Sequence, residues 1–191
     1  MFDSMAKLVL VTGGARSGKS SFAEKYVLSL AEKCDYIATA EILDEEMAER
    51  VRLHRERRNN GRWVNHEGYY SAEKVFQNLG DGTGAVLFDC LTLYMTNYMY
   101  GKGAVEGSFE ERTSHVLRKI DLLIEAAKNC GRTVVFVTNE VGAGIVPDNV
   151  VSREYRDLSG WVNQHVAEAC EEVYYCACGM AVDFKKLGAK I

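Results

Sequence analysis

Apolar positions along this chain recur in two rhythms. Short unbroken runs such as Leu8-Val9-Leu10-Val11 and Ala85-Val86-Leu87-Phe88 alternate with longer stretches whose apolar residues return every three or four positions. The first pattern marks buried strands and the second marks helices with one buried stripe. In chain order the pattern predicts a strand over 7–12, then a helix from 18 to about 33 with Phe22, Tyr26 and Leu30 in its stripe. A short strand over 35–39 and a strongly charged helix over 43–58 follow. Next come an extended segment over 63–67, a helix over 71–79, a turn at 81–84 and a strand over 85–89. Residues 91–100 continue as an apolar, aromatic-bearing segment, and 101–107 form a flexible break.

The clearest helical period lies in 109–129, where Val116, Leu117, Ile120, Leu123, Ile124 and Ala127 trace one face and Gly131 closes the helix. A buried strand over 133–138 leads into a loop, 139–149, with the single proline, Pro147, and two glycines, Gly142 and Gly144. Loops of this kind at strand ends carry function more often than packing. A polar-rich helix over 151–171 and two terminal strands, over 173–177 and 180–184, complete the chain. The whole reads as an α/β, three-layer P-loop fold, a mostly parallel, RecA-like central sheet flanked by helices. Residues 1–191 are expected to form one domain, with 1–6 an extension outside its core.

Between the first strand and the first helix stand Gly13, Gly14, Ala15, Arg16, Ser17, Gly18, Lys19 and Ser20. A glycine, a four-residue gap and then Gly-Lys-Ser is the spacing of a phosphate cradle. Its glycines let successive backbone N–H groups face phosphate oxygens, its lysine reaches the β- and γ-phosphates, and its Ser20 hydroxyl ligates Mg²⁺. The positive end of the following helix adds to the same field. A glycine-rich turn can also serve packing alone, but the strand, the lysine and the hydroxyl all in register favour a nucleotide. Asp89 ends an apolar run in the form of the second P-loop element and is the expected companion of Ser20 on Mg²⁺. Hydrolases, kinases and transferases share these parts, so the reaction stays open.

Composition removes some classes. A net charge of -4 argues against a general nucleic-acid binder. No apolar run reaches the length of a membrane span, and residues 1–7 lack the features of a signal peptide, so a cytoplasmic location is expected. The six cysteines, Cys34, Cys90, Cys130, Cys170, Cys176 and Cys178, lack the paired spacings of a zinc site. They are expected to be buried as small apolar residues, although Cys176 and Cys178 would share one face of a strand.

In the charged helix, Asp44, Glu45 and Glu46 stand at the start and arginines at the end, and Met47, Val51 and His54 share a face. On composition alone this is a solvated helix carrying an incidental histidine. His66, His115 and His165 are expected to be surface or hydrogen-bonded structural residues.

Several stretches taken together change that reading of His54. They are the Gly13 to Ser20 loop, Tyr36-Ile37-Ala38-Thr39, and Asp44 to Met47 with Arg50, His54 and Arg55. Further on come Thr138-Asn139-Glu140-Val141-Gly142, Gly144-Ile145-Val146-Pro147 and Gly160-Trp161-Val162-Asn163-Gln164. In this order they resemble the bifunctional adenosylcobinamide kinase and adenosylcobinamide-phosphate guanylyltransferase family of cobalamin biosynthesis. The resemblance runs from about Leu8 to the end. Where the family usually has a proline soon after an arginine, this chain has Arg58-Asn59-Asn60-Gly61, one residue longer, and the extension 1–6 has no counterpart in the family pattern.

The resemblance implies a kinase step, with ATP or GTP as donor, in which Lys19, Ser20, Mg²⁺ and Asp89 act on the γ-phosphoryl group. It also implies a guanylyl transfer in which His54 becomes a covalent GMP-histidine before GMP passes to adenosylcobinamide phosphate. By the same likeness Ala38, Thr39, Ala40, Arg55, Glu56, Arg57, Arg58 and Glu67 belong to the guanine nucleotide site, and a corrinoid is the acceptor. The family likeness further implies a homo-oligomer, a trimer. A GTP hydrolase and a plain small-molecule kinase are the competing readings. Neither forms a GMP adduct.

Overall fold

A parallel sheet whose strands are apolar on both faces needs a helical layer on each side, and the four central strands are almost wholly buried. The computed structural model describes residues 7–41, Glu45, Glu49, Arg52 and residues 61–188. The extension 1–6 lies outside the described residues. So does the helix expected over 43–58, apart from the helical Glu45, Glu49 and Arg52, and with it His54, Arg55, Glu56, Arg57 and Arg58.

The strands are β1 (Leu8–Gly13), β2 (Cys34–Ala38), β3 (Trp63–Glu67), β4 (Ala85–Asp89), β5 (Thr133–Val137), β6 (Glu172–Ala177) and β7 (Met180–Asp183). They form one seven-stranded sheet in the order β3-β2-β4-β5-β1-β6-β7. Every neighbouring pair is parallel except β6 with β7, which form a closing hairpin. One strand, β5, separates the phosphate-loop strand β1 from the Asp89 strand β4 in the RecA-like manner. The carboxyl ends of β1 to β6 share one edge, where ligands of open α/β sheets bind.

The described helices are α1 (Lys19–Leu30), α2 (Ala72–Gln77), α3 (Leu91–Met99), α4 (Phe109–Asn129), α5 (Val150–Ala169) and the short α6 (Phe184–Leu187). Alternate strand residues serve the two faces. Leu8, Leu10, Ile37, Phe88 and Phe136 pack with α2, α3, α4 and α5, whereas Val9, Val11, Tyr36, Leu87 and Val135 pack with Ala23 and Val27 of α1. Phe88, packed against Tyr94, Phe76 and Phe136, lies near the middle of the larger layer.

Local chemistry sets the helix ends. Ser108 and Glu111 form a reciprocal capping box at the start of α4. The first helix stops at Leu30, short of the expected 33, because the Arg62 guanidinium donates to the carbonyls of Leu28, Ala31 and Glu32 and gathers the chain there. The apolar stretch after Asp89 is helix α3, and its tyrosines accept hydrogen bonds at the start of α2: Ser71 N–H to Tyr98 Oη and Ala72 N–H to Tyr94 Oη. The last strand ends at Asp183, one residue earlier than expected, because the Asp183 carboxylate accepts the N–H groups of Lys185 and Lys186 and caps α6.

The six cysteines are free. Cys34, Cys90, Cys170 and Cys176 are buried as expected, but Cys178 is exposed and does not share a strand face with Cys176. It occupies the left-handed first position of the two-residue turn between β6 and β7, which takes it out of the strand. Among the described residues no group of three acidic, cysteine or histidine side chains could hold a metal ion, and no helix is long and apolar enough to cross a membrane.

Candidate nucleotide site

The phosphate loop leaves β1 at Gly13 and enters α1 at Lys19. Its glycines are required by contact as well as by conformation. A Cβ at Gly13 would collide with the Cys176 carbonyl, and one at Gly18, where φ is +95°, would lie 2.8 Å from Gly179 Cα. The Gly179 N–H donates to the Ser17 carbonyl at 2.9 Å, so the turn of the β6–β7 hairpin forms the floor of the loop. Lys19 Nζ arches back to the Gly14 carbonyl at 3.1 Å. Two buried hydroxyls of this segment, Thr12 Oγ1 and Ser17 Oγ, find no hydrogen-bond partner within the protein.

Register places the remaining candidates relative to the loop. Glu67, Ala38, Asp89, Val137 and Val11 lie in one row across β3, β2, β4, β5 and β1. Alternation from Trp63 and Leu87 turns Glu67 and Asp89 toward the α1 face. Asp89 accepts a hydrogen bond from Tyr36 Oη at 2.9 Å. Glu67 lies on the far side of β2, four strand spacings from β1 and hence roughly 19 Å along the edge.

Between them, Ala38 and Ala40 are partly exposed while Thr39 is fully buried. The Thr39 hydroxyl is committed to the backbone, donating to Cys90 O at 2.8 Å and accepting from Cys90 N at 2.6 Å, and Asn97 Nδ2 donates to Thr39 O at 3.0 Å. This small-residue turn therefore offers backbone and bare surface rather than a hydroxyl. The structure thus assembles Gly13 to Ser20, Ala38 to Ala40, Glu67 and Asp89 along one edge.

A second network borders the loop. Thr138 Oγ1 donates to Asn163 Oδ1 at 2.7 Å, Asn163 Nδ2 donates to Asn139 O at 3.0 Å, and Asn139 N–H donates to Thr92 Oγ1 at 2.9 Å. Two motifs far apart in sequence, around Thr138 and around Asn163, are thereby one structural unit that ties β5 to α5. The Glu140 N–H donates to the Gly13 carbonyl at 3.1 Å, and the Glu140 carboxylate accepts from the N–H groups of Gly142 and Ala143. Thr92 and Asn97 were not singled out from sequence. Their only signal is polarity within otherwise apolar stretches.

Thiol chemistry at this edge is disfavoured. Burial, reinforced by the neighbouring Asp89 charge, pushes the Cys90 thiol up to about 12, and burial raises Cys176 against the opposing influence of Lys19. Both stay protonated near neutrality. The described histidines are engaged: His66 Nε2 with Asp35 at 2.7 Å, His115 Nε2 with Gly103 O at 3.2 Å and His165 Nε2 with Asp121 at 2.6 Å.

Residues 9–184 match the family model described as cobinamide kinase / cobinamide phosphate guanyltransferase. The chain is 38% identical over 182 residues to the bifunctional adenosylcobalamin biosynthesis protein CobU of Salmonella typhimurium LT2, covering 93% of this chain and 99% of that one. It is 37% identical over 182 residues to CobU of Escherichia coli K12, with the same coverage. It is 33% identical over 176 residues to the bifunctional adenosylcobalamin biosynthesis protein CobP of Pseudomonas aeruginosa, covering 92% of this chain and 96% of that one. Among solved structures, a KaiC-like protein of Pyrococcus horikoshii OT3 superposes with a TM-score of 0.48 at 11% identity, over 90% of this chain and 71% of that one.

Proposed function

The chain belongs to the cobinamide kinase / cobinamide phosphate guanyltransferase family, and on that premise we propose how its residues divide the two reactions. The protein is a bifunctional transferase of adenosylcobalamin biosynthesis with nucleotide substrates and a corrinoid acceptor. In the kinase step the backbone N–H groups of Gly13 to Ser20 cradle the β- and γ-phosphates of ATP or GTP. Lys19 leaves the Gly14 carbonyl to pair with the transferring group. The observation that carries this reading is the phosphate loop itself, set at the end of β1 with Asp89 on the same edge.

A hydroxyl at Ser20 and a carboxylate at Asp89 are hard oxygen donors suited to Mg²⁺, which when bound neutralises phosphate charge. Ser20 stands in the first turn of α1, and Asp89 is oriented by Tyr36. Phosphoryl transfer rests on such positioning and charge neutralisation.

For guanylyl transfer a nitrogen of His54 attacks the α-phosphorus of GTP, the bond to pyrophosphate breaks, and a phosphoramidate forms. A phosphate oxygen of adenosylcobinamide phosphate then displaces the imidazole and takes the GMP. Histidine suits this role because a neutral imidazole offers a nucleophilic nitrogen near neutral pH. Arg55, Arg57 and Arg58, with Glu56 beside them, follow His54 in sequence, and the arginines supply charge for the phosphates. Glu67, with Ala38 to Ala40 beside it, accepts the N1–H and exocyclic amine of guanine. The family likeness supports a trimer as the assembly, and an oligomer has exposed apolar residues such as Ile145 and Val146 to cover. The six free cysteines go with a cytoplasmic location.

The test is mass spectrometry after incubation with GTP and Mg²⁺. The expected result is a mass increase of one GMP on the peptide containing His54, absent in His54→Ala. GTP turnover without an adduct supports a hydrolase instead. Phosphorylation of the corrinoid that persists unchanged in His54→Ala, with no pyrophosphate from the wild type, supports a plain kinase.

A further inference from the structure

Phosphorylating an alcohol requires a proton acceptor as well as a phosphate grip, and the roles above leave that acceptor unfilled. Among the described residues, the carboxylates at or just past the strand ends are Glu41, Glu67, Asp89 and Glu140, and Glu41 is held by Lys102 and Tyr70. Glu67 is four strands from β1, and Asp89 is two strands away and already engaged by Tyr36. Of these, Glu140 adjoins the phosphate loop, since its N–H donates to the carbonyl of Gly13, the first residue of that loop.

Its side chain is held without being buried. Glu140 is half-buried, and Oε1 accepts from the N–H of Gly142 at 2.6 Å and of Ala143 at 3.1 Å, leaving Oε2 only a long contact of 3.4 Å with Ala143 N. One carboxylate oxygen is thus an anchor and the other is available. The rest of the loop projects outward, with Ile145 and Val146 exposed. The Thr138–Asn163 and Asn163–Asn139 bonds fix the strand end that bears it.

We propose that Glu140 is the general base of the kinase step. The inference rests on the two-reaction reading given above. Glu140 Oε2 takes the proton of the acceptor hydroxyl, and the hydroxyl oxygen forms its bond to the γ-phosphorus. The bond from that phosphorus to the β,γ-bridging oxygen breaks, the nucleoside diphosphate leaves, and the carboxyl then returns its proton to solvent. Guanylyl transfer needs no such base, because a neutral imidazole and a phosphate oxygen are the nucleophiles.

The decisive variant is Glu140→Gln, which keeps an acceptor for the Gly142 and Ala143 amides and removes the base. General bases contribute on the order of 10² to 10⁴ in rate, so the corrinoid kinase kcat should fall about a hundredfold or more, with nucleotide KM little changed. The GMP adduct should still form at the wild-type rate. A kinase kcat within a few-fold of wild type overturns the assignment. If Glu140→Gln loses the adduct or fails to fold, Glu140→Asp decides. A lowered kcat with nucleotide KM unchanged supports the base, and an unchanged kcat overturns it. Absence of both adduct and kinase activity in the wild type defeats the family reading itself rather than this role.

Discussion

Tyr36 of β2 and Asp89 of β4 are joined by a 2.9 Å hydrogen bond in which the phenol donates and the carboxylate accepts. The tyrosine ring is held edge-on by Trp63, so it survives as an oriented ring when the hydroxyl is removed. Tyr36→Phe should therefore leave the fold intact and loosen Asp89. A hydrogen bond to a charged group is worth about 1.5–3 kcal/mol. The Mg²⁺ concentration for half-maximal kinase activity should rise about tenfold, and a Mg²⁺ titration with unchanged midpoint would remove Tyr36 from this role.

Gly18 carries the second prediction. In Gly18→Ala the new methyl lies 2.8 Å from Gly179 Cα on a backbone at φ +95°. Strain of this kind costs about 1–3 kcal/mol, which lowers the melting temperature of a chain this size by roughly 3–10 °C. Nucleotide affinity should fall at least tenfold, because the amide groups of the cradle shift with the loop. Calorimetric titration with ATP checks the affinity, and normal binding would show that the hairpin floor yields.

Glu67, proposed to read guanine, lies far along the sheet edge from the phosphate loop. It lies four strand spacings from the phosphate-loop strand, so Glu67→Gln should leave ATP-driven phosphorylation within about twofold of wild type. Guanine recognition loses a charge-assisted pair, and formation of the GMP adduct at low GTP should fall about tenfold to a hundredfold. Equal losses in both assays would mean that Glu67 supports the sheet edge and does not read the base.

Acid should weaken the opposite edge of the sheet. Burial alone would raise the Glu172 carboxyl, but hydrogen bonds from Lys7 Nζ at 2.7 Å, Tyr26 Oη at 2.5 Å and Tyr174 Oη at 3.0 Å outweigh it and hold the carboxyl below its ordinary range. A carboxyl depressed on folding adds stability above its unfolded pKa of about 4.3 and loses it as pH falls through the lower folded value. Glu172→Gln should be less stable than wild type at pH 7, and the gap should close as pH drops from about 5 to about 3. Urea unfolding across that series measures it, and a constant gap would exclude the charge as the cause.

What the sequence could reveal followed the range of the interactions. The phosphate loop was legible because strand, glycines, lysine and hydroxyl are contiguous, and long helix α4 because its period is sustained. Helix α3 was not assigned a type because its stripe is so broad: Leu91, Tyr94, Met95, Tyr98 and Met99 repeat at helical spacing, but Thr92 and Asn97 are buried too. These two buried polar residues turn out to brace the site, Thr92 receiving Asn139 N–H and Asn97 spanning Thr39 and Tyr69. The pairings Tyr36 with Asp89 and Glu140 with Gly13 depend on strand order, which no local pattern encodes. Arg62 ends α1 from a distance in sequence for the same reason.

The hairpin floor beneath the cradle has a consequence for biosynthesis of the chain. Gly13 to Ser20 emerge early from the ribosome, yet the Cys176 carbonyl and Gly179, against which Gly13 and Gly18 rest, are made near the end. Contacts of such long sequence separation form late in folding. Nascent chains that stop before β6 should carry the complete signature of a nucleotide enzyme and yet hold nucleotide poorly. Capture on an immobilised nucleotide would therefore select finished molecules from truncated ones.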